Sequence, residues 1–264
     1  MAAPDRRTSI QENFDRSHAT HARSATLQRI WRDAYGDEYL AEASPSNFVP
    51  RSILRRLADE LRVGPDETLV DLGCGHGGPG LWVAQQTGAN LVGIDLSPVG
   101  VALARERASA LGLDGRTEFR VGDMCATGLP DGGFDAAISL DVLTFVPDKG
   151  DAVREVARLL RPGGRFCCTT WERTADSGWL TATAAPVADY RPVLEAGGFA
   201  IATYEEVPDW RVQQRARLEG IVAAEAEIVA EMGAAEGGRW MGFARGILDG
   251  PPSKRYVYVV AERR

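Results

Sequence analysis

Apolar positions along this chain follow two periods in alternation. Short apolar runs of strand length occupy 69–72, 90–94, 117–121, 135–140, 165–171, 199–207 and 256–261, most of them bounded by Gly, Asp or Pro. Between them the spacing becomes helical. Ile53, Leu54, Leu57, Ala58 and Leu61 share one face of 51–62, and Leu81 to Ala84 resume after Gly80. Val101, Leu103, Ala104, Ala108 and Leu111 follow the Ser97-Pro98 cap pair; a helix over 151–160 is halted by Arg161-Pro162-Gly163-Gly164, and one over 186–196 by Gly197-Gly198. Strands and helices alternating at this spacing predict a parallel, doubly wound α/β sheet.

Two stretches stand outside the alternation. Residues 1–13 are polar and expected to be loose, after which 14–40 carries Leu27, Ile30, Trp31, Ala34 and Tyr35 at helical spacing. Gly36 and 44–50 interrupt that pattern and read as a hinge or lid loop. In 208–250, Leu218, Ile221, Val222, Ile228, Val229 and Met232 form a long amphipathic stripe, followed by Gly-rich turns around Trp240, Met241 and Phe243. That stripe either lines a pocket or covers the sheet or a second copy of the chain.

The chemistry concentrates in 69–80, a strand that runs into Gly73, Gly75, Gly77 and Gly78 before a helix begins. Strand, glycine loop and helix make the first half of a nucleotide-binding unit. A dinucleotide would lay its pyrophosphate on that loop, where the Asp71 carboxylate would repel it; a ligand with an ammonium tail would be attracted. The next strand ends at Asp95, roughly 20 residues beyond Gly73, a spacing suited to an acid that accepts ribose hydroxyls. A third ends at Gly122-Asp123-Met124, where a carboxylate can take an adenine amino group and Met124 can cover the ring. The Asp95 acid alone fits NAD as well as S-adenosylmethionine, but three acidic strand ends are too many for a pyrophosphate ligand.

Five blocks in order, Val-Asp-Leu-Gly-Cys-Gly-His-Gly (70–77), Val-Gly-Ile-Asp-Leu-Ser-Pro (92–98), Val-Gly-Asp-Met (121–124), Phe-Asp-Ala-Ala-Ile-Ser-Leu-Asp (134–141) and Leu-Arg-Pro-Gly-Gly-Arg-Phe (160–166), give the chain a resemblance to a known family. It resembles the class I S-adenosylmethionine-dependent methyltransferases, in particular small-molecule methyltransferases of bacterial natural-product pathways. The resemblance implies a seven-stranded, mostly parallel Rossmann-like sheet with an antiparallel last strand, a helical cap at 1–50, a core at 51–207, a helical lid insertion at 208–250, and a return to the core at 251–264. It also implies a cofactor site of Asp71, Gly73, Cys74, Gly75, Asp95, Leu96, Gly122, Asp123, Met124 and Leu140. Members that methylate sugar hydroxyls carry a histidine after the fourth strand; here that loop reads Thr144-Phe145-Val146-Pro147. Its absence favours N- or C-methylation over base-assisted O-methylation. Asp141, at the fourth strand end, is the candidate polar group on the acceptor side, or else a cap or a partner to an arginine. Tyr35, Tyr39, Phe48, Trp171 and Trp240 are candidate walls for a flat or apolar acceptor.

Composition narrows the remaining choices. The 264 residues, 44% of them hydrophobic, suffice for one large domain with a cap. A net charge of −7 leaves no general footprint for nucleic acid or an anionic membrane, and no apolar run approaches spanning length. Cys74, Cys125, Cys167 and Cys168 fit neither a disulfide framework nor a zinc spacing, so buried thiols in a reducing cytoplasm are expected. His18 and His21 could share a helix face but read as a solvated helix start, with no metal expected; His76 reads as a loop residue beside the cofactor tail. The chain is expected to act on a small molecule as a monomer or homodimer. Two other readings stay open, a nicotinamide-dependent oxidoreductase and a cofactor-binding protein without catalysis.

Overall fold

The computed structural model describes residues 6–21, 24–43, 48–173, 185–250 and 254–264. Five strands, β1 (Thr68–Leu72), β2 (Asn90–Asp95), β3 (Thr117–Val121), β4 (Phe134–Leu140) and β5 (Leu160–Arg173), pair in parallel. With β6 (Phe199–Glu206) and β7 (Lys254–Arg263) they form one sheet in the order β3-β2-β1-β4-β5-β7-β6, β7 running antiparallel to both its neighbours. This is the doubly wound α/β sheet that the alternation of periods predicts.

Helices cover both faces, which is why the central strands read as continuous apolar runs. Leu69 faces a layer built from α3 (Arg51–Glu60), α4 (Gly78–Thr87) and α5 (Pro98–Ala110). The next residue, Val70, points to the opposite side, where α6 (Lys149–Leu159) and α7 (Arg191–Ala196) contribute Val153, Val156 and Leu194. The register pairs Leu72 with Ile94 and Asp95 with Val121, so the loops after β1, β2 and β3 emerge along one edge.

A third apolar cluster joins the two stretches that lie outside the alternation. Leu27, Ile30 and Trp31 of α2 (Ala25–Tyr35) pack with Leu218 and Ile221 of α8 (Trp210–Ala223), Ile228 of α9 (Glu225–Met232) and Met241 of α10 (Ala234–Leu248). α2 and the insertion before β7 therefore make one bundle.

Several boundaries differ from the sequence reading. The stripe over 14–40 is two helices, because Ser24 adopts extended geometry (φ −80°, ψ 110°) and its hydroxyl accepts the Leu27 N–H at 3.1 Å. The first of them, α1 (Arg6–His21), reaches back through the polar stretch expected to be loose; it docks on α5, and Ile10 is buried. The glycines around Trp240 lie inside α10, not in turns. At Gly237 an added Cβ would stand 2.6 Å from Val229 Cγ2, so a small residue lets α9 and α10 approach. The helix expected from 186 begins at Arg191, with Pro192 in its first turn, and β5 extends beyond 165–171 at both ends. Most of the expected hinge, 44–47, lies outside the described residues.

Ile221 is fully buried in the bundle. Ile221→Ala should cost about 2–5 kcal/mol, read as a lower urea midpoint; a loss below about 0.5 kcal/mol would mean that the bundle is not packed as described.

Candidate active site

The carboxyl ends of β1 to β4 and the loops that follow them open into a cavity of about 560 Å³. Its floor depends on a turn at Gly73, where φ is 81° and any Cβ would overlap the Val142 side chain. Gly73 N–H and Cys74 N–H both donate to the Ile94 carbonyl, at 2.8 and 3.1 Å, tying the loop to β2. The Asp95 carboxylate then accepts from Gly75 N–H at 2.7 Å and from Ser97 N–H at 2.8 Å. One acid thus holds the glycine loop against the start of α5, which Ser97 caps by accepting the Gly100 N–H at 3.0 Å. Asp123 accepts the Cys125 N–H at 2.9 Å.

All ten residues assigned to the cofactor in the sequence line this one cavity. Asp71, Gly73, Cys74 and Gly75 come from the first strand and loop, Asp95 and Leu96 from the second, Gly122, Asp123 and Met124 from the third, and Leu140 from β4. Asp71 is 3% exposed, and no hydrogen bond from a described residue reaches its carboxyl group. Burial first, and the Asp95 charge second, push that group up to about 8. Asp95 is also raised by burial, against the opposing pull of His18 and its two N–H donors. The Cys74 thiol is driven far up by burial and is inert.

His76 lines the cavity from the glycine loop, whereas His18 and His21 are placed differently from the expectation. His18 and His21 lie in the last turn of α1, but α1 crosses the glycine loop and turns them inward. His18 is 8% exposed, its imidazole lies against Gly75, and its ring meets that of His76 edge-on at 5.8 Å. Burial lowers all three, His21 and His76 to about 3, so these imidazoles are neutral. Among the described residues no three His, Cys, Asp or Glu side chains converge to hold a metal ion. Of the cysteines, Cys125 is only half-buried and also lines the cavity.

Across from the acids the wall is aromatic. Phe48, Trp171 and Trp240 line it as expected, joined by Trp31 and Phe243. Tyr35 and Tyr39 do not line it. Tyr35 is turned into the helical bundle, with its hydroxyl donating to the Phe48 carbonyl at 3.3 Å, and Tyr39 lies under the Arg32 guanidinium. Asp141 lines the cavity in left-handed backbone geometry (φ 65°), accepting Phe48 N–H at Oδ2 and the Thr169 hydroxyl at Oδ1, both at 3.0 Å. Burial raises it to about 6. Arg217 is the residue the sequence reading missed. It is 1% exposed and lines the cavity, its guanidinium 4.1 Å from the Phe48 ring and 4.8 Å from that of Trp31. Its spacing of four from both Gln213 and Ile221, which are buried, is the signal that places it on the inner face of α8.

Residues 70–168 match the family described as a methyltransferase domain. Over that stretch, which holds the glycine loop and the ends of β1 to β4, the chain is similar to class I S-adenosylmethionine-dependent methyltransferases. It is 33% identical over 136 residues to methyltransferase GfsG of Streptomyces halstedii, covering 52% of this chain and 47% of that one. With the 27-O-demethylrifamycin SV methyltransferase of Amycolatopsis mediterranei (strain S699) it shares 28% identity over 90% of this chain and 92% of the relative. The chain spans about half the length, or less, of the curated relatives that match its central segment. In fold it is similar to the [4+2]-cyclase SpnF, with a TM-score of 0.75, 23% identity and coverage of 100% and 98%. Two structures of geranyl diphosphate methyltransferase with this fold, at TM-scores of 0.63 and 0.70 and 24% and 22% identity, hold S-adenosylmethionine or S-adenosyl-L-homocysteine.

S-adenosylmethionine is the cofactor that these similar methyltransferases hold, and the residues present here fit it. An unpartnered buried carboxyl at Asp71 suits its ammonium, and Asp95 and Asp123 offer acceptors where ribose and adenine donors would lie. Asp95→Ala should weaken S-adenosylhomocysteine binding by about 2–4 kcal/mol. It should also lower stability by about 1–3 kcal/mol, since Gly75 and Ser97 N–H lose their acceptor. Calorimetry and urea unfolding check both effects; an unchanged affinity in the folded variant would remove Asp95 from the cofactor site.

Proposed function

We propose that this protein transfers a methyl group from S-adenosylmethionine to a small apolar acceptor, an intermediate of natural-product biosynthesis. The observation that carries the reading is the single cavity in which acids at three successive strand ends face an aromatic chamber. In this reading 1–50 and 208–250 form a cap and lid over a core of 51–207 and 251–264. Asp71 holds the ammonium, Asp95 the ribose hydroxyls and Asp123 the adenine amino group, with Met124 on the ring. The bound cofactor supplies an activated sulfonium methyl group.

What the chain adds is position. Alignment of two bound reactants accounts for about 7–11 kcal/mol of barrier lowering, against about 10²- to 10⁴-fold for a general base. Trp31, Phe48, Trp171 and Trp240 hold the acceptor flat and exclude water. Asp141, ionised above about pH 6, fixes Phe48 through its backbone and turns its remaining lone pairs to an acceptor N–H or O–H. N- or C-methylation is favoured over O-methylation: Thr144 and Phe145 stand where a basic histidine would, and His21, held near 3 chiefly by burial, is too weak a base. The rifamycin relative, named for an O-demethylated compound, supports the O-methylation alternative. The protein works as a monomer or homodimer in the cytoplasm, without nucleic acid or membrane partners; no helix of the described residues is long and apolar enough to cross a membrane.

Turnover of labelled S-adenosylmethionine against a panel of amines, phenols and indoles tests the reading. S-adenosylmethionine and its product should bind in the micromolar range, about 8 kcal/mol, and NAD negligibly. NAD binding as tightly as S-adenosylmethionine would favour an oxidoreductase; tight cofactor binding without turnover on any acceptor class would favour a binding protein.

Asp71 makes a pH prediction. Its carboxyl is mostly protonated at pH 7 in the free protein, and an ammonium beside it favours the ionised form, so cofactor binding should release up to one proton at pH 7. Affinity should rise between pH 6 and 8 and level above the free value. Calorimetry in buffers of different ionisation heat reads the release, which Asp71→Asn should abolish. Binding at pH 7 with no proton released would place the ammonium elsewhere.

A further inference from the structure

Methyl transfer as derived above leaves Arg217 without a task. Its Nε and Nη1 are buried and have no hydrogen-bond partner, and among the described residues no carboxylate pairs with it. Burial lowers the guanidinium to about 10, so it remains charged at neutral pH. The faces of Phe48 and Trp31 attract the cation, but guanidinium N–H bonds lie in its own plane and call for oxygen acceptors that ring faces do not supply.

The surrounding charges leave that demand unmet. Asp141 acts on Arg217 only at a distance, with its oxygens engaged by Phe48 N–H and Thr169. Glu236, also at the cavity, pairs with Arg239. His21 is neutral. The Thr144 hydroxyl lies in the same cavity, buried and likewise without a partner. Arg217 thus stands with unfilled donors among the aromatic side chains, and a second unfilled donor, the Thr144 hydroxyl, lines the same cavity.

We propose that Arg217 receives an anionic oxygen group of the acceptor, a carboxylate or a phosphate, so that the substrate is an apolar acid. This rests on the reading of the aromatic chamber as the acceptor site. A charge-assisted contact in a dry pocket fixes one end of a flat molecule while the rings hold its faces, leaving a single edge for the methyl group. It also sets specificity, because a neutral analogue leaves the guanidinium as unpaired as in the free protein.

The test is calorimetric titration of 1-naphthoate, 1-naphthyl phosphate and 1-naphthalenemethanol into the full chain, with and without saturating S-adenosylhomocysteine. At least one anion should bind ten times or more tightly than the alcohol, and the better anion identifies carboxylate or phosphate. That preference should fall below about threefold in Arg217→Met and survive in part in Arg217→Lys, with S-adenosylhomocysteine affinity unchanged in both. Should Arg217→Met fail to fold, the wild-type probe series and Arg217→Lys still decide the matter. Equal binding of the alcohol and both anions to the wild type, or an anion preference that survives in Arg217→Met, overturns the proposal. Failure of S-adenosylhomocysteine to bind counts against the methyl-transfer reading instead, and the anion preference is still read from the titration without it.

Discussion

Carboxylates withdrawn from water at the carboxyl edge of a parallel sheet set the terms for the rest of this structure. A buried charge is costly unless donors meet it, and the three acids that matter most are met differently. Asp95 is satisfied by Gly75 and Ser97 N–H, and by being satisfied it fastens the glycine loop to α5. Asp141 is satisfied by Phe48 N–H and the Thr169 hydroxyl, and so fastens the segment entering α3 to the end of β5. Asp71 is met by no hydrogen bond from a described residue. All three line the cavity, and of the three Asp71 is the one that no protein donor meets among the described residues.

The chamber that results is divided by chemistry. Its sheet side is acidic and backbone-rich, drawn from the loops after β1, β2 and β3; its other side is aromatic, drawn from α2, α10 and the Phe48 segment. α1 spans the two, with His18 over the glycine loop and His21 4.3 Å from the Trp240 ring. Burial keeps both imidazoles neutral, so α1 brings a polar but uncharged cover to a site already rich in acids. Arg217 brings a cation to the aromatic side, held between the faces of Trp31 and Phe48.

The core was legible in the sequence because its signals are local. A strand buried on both faces reads as an uninterrupted apolar run, and the turn after it needs glycine where φ is positive, so Leu69 to Gly75 carries its own explanation. The acids at strand ends follow from the same register. The cap was not legible to the same degree. The break within 14–40 rests on Ser24, whose hydroxyl turns back to cap Leu27, and one serine among the polar residues before Leu27 does not by itself mark a helix start. Gly237 reads as a turn because its reason, the approach of Val229, lies on another helix. His18 reads as solvated because its burial depends on α1 docking against α5, a contact distant in sequence. Tyr35 and Tyr39 read as pocket walls by ring type, whereas helix phase turns Tyr35 away and places Arg217 inward.

A crystal structure of the protein with S-adenosylhomocysteine bound tests the central claim most directly. The ribose hydroxyls should lie within hydrogen-bond distance of Asp95, the adenine over Met124 beside Asp123, and the ammonium at Asp71, with the sulfur facing the Trp171 and Trp240 side of the cavity. Product bound outside this crevice, or inside it with the Asp71 carboxyl still uncontacted, would contradict the assignment of the unmatched acid to a ligand.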